Sequence, residues 1–182
     1  MDEITLVDYN PQWPEQFRAE AARIQAALGD SVVAVEHFGS TAVPGLAAKP
    51  VIDLLVAVRS LPEARTRAVP ALEALGYAYW ADDPAPDRLF FVKGLPPNGP
   101  RTHHVHVVDL SVSHDPRLDE FTFADRLLFR DYLRTHSEEA ERYASLKRDL
   151  ATRFTEDREA YTQGKTEYIY SIMQRAREYT KN

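Results

Sequence analysis

The chain contains no cysteine among its 182 residues. Disulfides and thiolate metal sites are therefore excluded. No apolar run approaches the ~18 residues that a membrane span needs. The opening Met1-Asp2-Glu3 lacks the basic-then-apolar order of a signal peptide. Together these absences predict a cytoplasmic protein with no membrane partner. A surplus of positive charge is also missing: 22 Lys+Arg stand against 28 Asp+Glu, a formal net charge of −6. A long nucleic-acid partner is not expected from that balance. A small phosphorylated ligand or nucleotide remains open, because it needs only a few local cations. There is no G-x-x-x-x-G-K-S/T run, so no P-loop. Glycine is sparse, with 7 residues. No Gly/Ser-rich linker or low-complexity tract divides the chain, which predicts one domain over residues 1–182.

What is present is ordinary soluble composition, 44% hydrophobic and 27% charged, and enough length to bury a core. Charge is uneven. Residues 1–115 hold 9 basic and 15 acidic side chains, and residues 116–182 hold 13 of each. Ile4 to Tyr9 reads as a short edge strand. Pro11 to Gly29 predicts a helix, with Pro14 in its first turn and Phe17, Ala21, Ile24, Ala27 and Leu28 as its apolar stripe. Val32 to Phe38 predicts a strand. Pro50 to Val58 is almost continuously apolar, as a central buried strand would be. A helix follows over Leu61 to Leu75, then strands over Tyr77 to Trp80, Leu89 to Val92 and Thr102 to Leu110. Beyond Asp115 the texture becomes helical: Pro116 to Thr135, Ser137 to Phe154 with Ser137 as N-cap, and Thr155 to Tyr179. The fold class expected is α/β (α+β), a sheet-bearing core over 1–115 with a helical part over 116–182 packed on it.

Four groups of residues could carry chemistry. Gly39-Ser40-Thr41 closes the strand Val32–Phe38. Glycine lets an anion approach the backbone, and the hydroxyls can donate to phosphate oxygens, although a plain turn would use the same residues. Asp53 interrupts the apolar run Val51–Val58. A carboxylate there is costly unless it is paired, for instance with Lys49, or ligates a metal. His104 and His106 share one face of their strand while His103 faces away. Two such imidazoles can bind a metal or meet phosphate, and His37 would join them if its strand lay alongside. Arg126, Arg130 and Arg134 form a helical stripe, and Tyr143/Lys147 and Tyr161/Lys165 repeat one spacing. These can grip phosphate or stack on a base, or form a solvated face with local ion pairs.

These segments together resemble the GrpB-like family of predicted nucleotidyltransferases. The likeness runs from Val7-Asp8-Tyr9-Asn10-Pro11 through the block Glu36 to Asp53. It continues through Arg101 to Val107, Phe129 to Arg134 with His136, and Tyr143 to Lys147, and ends at Tyr161 with Lys165. Similar modules occur fused to dephospho-CoA kinase. The resemblance implies a nucleotidyltransferase-like mixed sheet with flanking helices. In that fold a Gly-Ser turn holds a triphosphate and the next strand supplies two metal carboxylates. Gly39, Ser40 and Asp53 match, but Leu55 occupies the second carboxylate position. His104 and His106 would stand where a third carboxylate is usual.

The activity implied is metal-dependent transfer of a nucleoside monophosphate from a nucleotide triphosphate to a small acceptor. Asp53, His104 and His106 would be the catalytic and metal-binding residues. Gly39, Ser40, Thr41, Lys49, Arg130 and Lys147 would bind the phosphates. The ion would be Mg²⁺ or Mn²⁺, with Zn²⁺ suited to the imidazoles. Two alternatives accompany this reading: a non-catalytic nucleotide- or coenzyme-binding module, and a His/Asp metal-dependent phosphoesterase using His37 as well.

Overall fold

The computed structural model describes residues 3–83, 87–95, 99–111 and 121–180. Five apolar segments pair into one mixed sheet: β1 (Val32–Phe38), β2 (Ile52–Val58), β3 (Tyr77–Tyr79), β4 (Arg88–Lys93) and β5 (His103–Asp109). The order is β1-β2-β5-β4-β3. Only β2 and β5 run parallel; the other neighbours are antiparallel. β2 is flanked by strands on both sides and buried on both faces. That position explains its unbroken apolar run, since neither face needs polar side chains.

Side-chain alternation assigns different work to the two faces. One presents Leu54, Val56, Phe91, Val105 and Val107 to α1 (Trp13–Leu28) and α2 (Leu61–Ala74), whose stripes bring Trp13, Ile24, Leu28, Ala68 and Leu72 into the same core. Each large aliphatic side chain fully buried there contributes about 1.5–3 kcal/mol. The other face presents Phe38, Asp53, Leu55, Phe90, His104 and His106, by the pairing register. Over this face stand α3 (Phe123–Thr135), α4 (Ser137–Arg153), α5 (Arg158–Gln163) and α6 (Thr166–Tyr179). A second core of Val43, Leu46, Leu133, Tyr143, Ala144 and Ile172 joins α3, α4 and α6 to the chain after β1. The architecture is thus the mixed α+β class that the sequence predicts.

Several local expectations need correction. Ile4 to Tyr9 forms no strand; its one ladder contact is the isolated bridge between Val7 and Ala48. Thr155 to Tyr179 is two helices, because Asp157 accepts from the Ala160 amide to start α5 and the chain turns at Gly164 before α6. A side chain at Gly164 would meet Leu150 Cδ2 at 2.5 Å, so the break lies where two segments touch. Ser137 is the first helical residue of α4 rather than its N-cap, which is His136 without a side-chain bond. α3 begins at Phe123 on a capping box between Thr122 and Asp125. The expected helical segment at 116–120 lies outside the described residues.

Candidate functional site

Three strands converge on Asp53. Register pairs it with Phe38 across β1 and with His104 across β5, and pairs Leu55 with His106. All these side chains therefore leave the same face of the sheet. His104 Nδ1 lies 3.1 Å from Asp53 Oδ1. One ligand atom from each of Asp53, His104 and His106 fits within a 4.8 Å group. His104 Nε2 and His106 Nδ1 are buried and have no hydrogen-bond partner among the described residues. The rings of Phe38 and Phe90 pack on His106 at 5.0 and 4.8 Å. Burial in this setting, with Arg88 and Arg126 nearby, holds the His106 pKa well below the usual histidine value.

The turn after β1 lies over this cluster. Gly39 adopts φ +70° and brings its backbone against the Asp53 carboxylate. Ser40–Ala42 is a single 3₁₀ turn. From α4, Lys147 reaches across to donate to Ser40 Oγ at 2.9 Å and to the Ala47 carbonyl. Lys147 is only 2% exposed, and neither acceptor is charged.

A cavity of about 390 Å³ opens between sheet, turn and helices, lined by Asp53, His104, His106, Gly39, Ser40 and Thr41 among others. Among the described residues its lining holds one carboxylate, Asp53, against Lys49, Arg88, Arg101, Lys147, Arg158 and Lys165. Arg88 is engaged by Asp83 at 2.7 Å. Lys165 and Lys49 sit 4.5 and 5.3 Å from the centroid of the Tyr161 ring, and Lys147 sits 4.9 Å from that of Tyr143. Burial, helped by the charges of Lys165, Arg148 and Lys49 and opposed by Asp53, lowers the Lys147 pKa to about 7. Burial and Lys49 bring Lys165 to about 8. The cavity wall thus carries more cations than anions and suits an anionic ligand.

A pH dependence follows from those two lysines. Below about pH 7 both are charged before any ligand arrives; above about pH 8 both are largely neutral, and a bound anion must recharge them. Tripolyphosphate binding is therefore expected to take up protons near pH 8 and to weaken as pH rises from about 7 to 9. Calorimetry in buffers of different ionisation enthalpy checks this. A pH-independent affinity without proton uptake would contradict it.

Not every residue singled out from the sequence reaches the cavity. Arg130 is absent from the lining. Its guanidinium is bidentate to Asp131 and also donates to Glu36 and to the His37 carbonyl, both at 2.8 Å. Arg126 donates to Asp87 and Arg134 to the Ala42 carbonyl, so the stripe on α3 holds tertiary structure. His37 belongs to the opposite face, where it stacks on Phe17 at 4.7 Å and bonds Thr41 Oγ1. Burial lowers its pKa to about 4. The phosphoesterase expectation loses one of its imidazoles with this placement. Conversely, Arg101, Arg158, Phe38 and Phe90 line the site without having been singled out. Their patterns are ordinary for a loop, a helix start and two strands. Lys165 had a signal, the repeated Tyr-x-x-x-Lys spacing, but no reason to be ranked with Lys147.

Known proteins resemble this chain in sequence and in fold. The family described as GrpB protein matches residues 3–175. A UPF0157 protein of Pseudomonas aeruginosa is 48% identical over 177 residues, 96% of this chain and 68% of that protein. A dephospho-CoA kinase of Mycolicibacterium paratuberculosis is 32% identical over 192 residues, covering 95% of this chain but 46% of the kinase. The crystal structure of conserved protein GrpB from Enterococcus faecalis matches with a TM-score of 0.81 at 33% identity, covering 98% of this chain and 100% of that one. A Cid1 poly(U) polymerase structure with MgGTP bound matches with a TM-score of 0.51 at 16% identity, over 80% of this chain and 44% of that one. At that identity the likeness concerns the fold alone, which is nucleotidyltransferase-like.

Proposed function

The chain belongs to the GrpB family, and from that premise we propose that its cavity binds the triphosphate of a nucleotide with a divalent cation and passes the nucleoside monophosphate to a small acceptor. The observation that carries this reading is the pair Lys147, buried, and Lys165, half-buried, which line the cavity with Gly39 and Ser40 and, among the described residues, have no carboxylate bonded to either ammonium. Such groups are costly to bury alone and become favourable when an anion arrives.

In this reading Gly39, Ser40 and Thr41 bind the phosphates and Lys49, Lys147 and Lys165 neutralise them. Asp53 holds the cation, and His104 and His106 complete its surroundings. Arg130 acts on this site only through the fold. The acceptor oxygen bonds to the α-phosphorus and the bond from that phosphorus to the bridging oxygen breaks. Pyrophosphate leaves, and the acceptor proton goes to solvent. A cation, when bound, supplies charge neutralisation at the phosphates.

The pair of Mg²⁺ ions that this fold implies does not fit the donor set. β2 offers one carboxylate, and Leu55, which occupies the second carboxylate position, is 0% exposed. Mg²⁺ prefers six oxygens in a near-ideal octahedron. No step is assigned to a second ion. The test is pyrophosphate release from nucleoside triphosphates across a panel of hydroxyl acceptors. Release is expected to require a divalent cation and to fall to background in Asp53→Ala. The reading fails if no triphosphate raises the melting temperature and no acceptor yields pyrophosphate.

Leu55 favours a second reading: a binding module that keeps the anion pocket without turnover, with a nucleotide or coenzyme as ligand. The dephospho-CoA kinase relative supports the coenzyme variant of it. Ligand binding indifferent to Asp53→Asn and to metal would favour this module, and any measured turnover would oppose it.

A further inference from the structure

If the cavity holds a metal–triphosphate complex, as proposed, the mismatch with Mg²⁺ carries information about the ion. Leu55 and His106 are register partners across the β2–β5 ladder, as are Asp53 and His104. The ligand missing from β2 thus has a replacement one strand away, on the same face and at the same height. The replacement is an imidazole.

Both imidazoles are 9% exposed and line the cavity. Each keeps one buried ring nitrogen, His104 Nε2 and His106 Nδ1, with no hydrogen-bond partner among the described residues. Leaving such an atom unsatisfied is unfavourable, because it loses its water without gaining a protein partner. Phe38 and Phe90 enclose His106 on the sheet and supply no polar partner. A plain structural histidine would have little reason to sit there twice, beside an aspartate whose oxygen lies in the same 4.8 Å group.

We infer that this site takes a single first-row transition ion of the Mn²⁺-to-Zn²⁺ series rather than Mg²⁺ on Asp53, His104 and His106, with its open positions facing the phosphate pocket. One carboxylate and two imidazoles suit such ions, whereas Mg²⁺ accepts imidazole reluctantly. The open positions would be left for a phosphate oxygen or water.

The test uses the full chain freed of metal by chelator and titrated separately with Mn²⁺, Zn²⁺ and Mg²⁺. We expect 1:1 binding of Mn²⁺ and Zn²⁺ at least about tenfold tighter than Mg²⁺. We also expect bound Mn²⁺ to show nitrogen couplings in its electron paramagnetic resonance. His106→Gln should weaken Mn²⁺ and Zn²⁺ by roughly 10–100-fold, a range that even outer partners of a metal command, and leave Mg²⁺ unchanged. His104→Gln should do the same. Equal affinity for Mg²⁺, an indifferent His106→Gln or an absence of nitrogen couplings would each overturn the inference. The couplings are read on the unaltered protein, so the test survives a variant that fails to fold. Tripolyphosphate binding to the metal-free chain, lost in Lys165→Met, separates the outcomes. If it persists while the metal preference is absent, only the ion assignment fails. If it is absent from the unaltered chain, the proposed triphosphate site fails first.

Discussion

Replacing Gly39 with alanine is expected to remove about 1–3 kcal/mol of stability and nearly all divalent-cation binding. Two independent features of the turn produce this. Its backbone, at φ +70° and ψ −170°, lies in a region that only glycine occupies at low cost. A Cβ at that position would also stand 2.6 Å from Asp53 Oδ2 and 3.2 Å from both Asp53 Cβ and Cγ. Backbone strain alone would lower stability and leave the site intact. The collision reaches the site, because the carboxylate must turn aside and so give up its 3.1 Å contact with His104. The two effects separate experimentally. Thermal melting reads the strain, and titration with Mn²⁺ or a metal–triphosphate complex reads the carboxylate at a temperature where the variant is folded. A folded Gly39→Ala protein with unchanged cation affinity would show that Asp53 is not the ion's ligand.

This coupling also explains what could be read from the chain alone. Gly39-Ser40 and Asp53 stood out because each breaks a local pattern: a turn closing a strand, and a charge in an apolar run. The sheet was legible for the same reason, since β2 carries a long apolar stretch and β5 alternates Val with His, patterns that do not depend on distant details. Alternation on β5 was enough to place His104 and His106 together. It could not place His37, because one residue of register decides which face an imidazole takes and that register belongs to the pairing with β2. The segment Ile4 to Tyr9 has strand-like residues, but an edge strand needs a free ladder, and only Ala48 provides one. The break between α5 and α6 depends on Leu150 approaching Gly164, a tertiary contact. The lysine pocket was half legible. Tyr143 with Lys147 and Tyr161 with Lys165 were visible as a spacing, yet whether such a lysine points to water or into a cavity is settled by the helices packed around it.

The same ambiguity governs the arginines of α3 and leads to the second large effect. Arg130→Ala is expected to destabilise the protein by about 2–4 kcal/mol while leaving phosphate affinity unchanged. The side chain is buried, and its fork joins α3 to β1 through Glu36 and the His37 carbonyl. Truncation leaves that buried carbonyl without its donor and removes the packing of the arginine stem. Glu36 and Asp131 remain partly exposed, at 39% and 51%, so water recovers much of what their carboxylates lose and the loss stays below that for a fully buried pair. At this chain length the melting temperature should fall by roughly 5–15 °C. Arg130→Lys should recover only part of it, because an ammonium cannot span Asp131 and the carbonyl together. Lys165→Met gives the opposite profile: it removes a half-buried ammonium to which, among the described residues, no carboxylate is bonded, so stability is kept or raised while tripolyphosphate binding is lost. Melting curves and calorimetry on the two variants therefore cross. If Arg130→Ala instead melted normally and lost phosphate binding, its guanidinium would have to leave Asp131 and enter the cavity, and the division between a structural arginine stripe and a ligand-binding lysine pocket would be reversed.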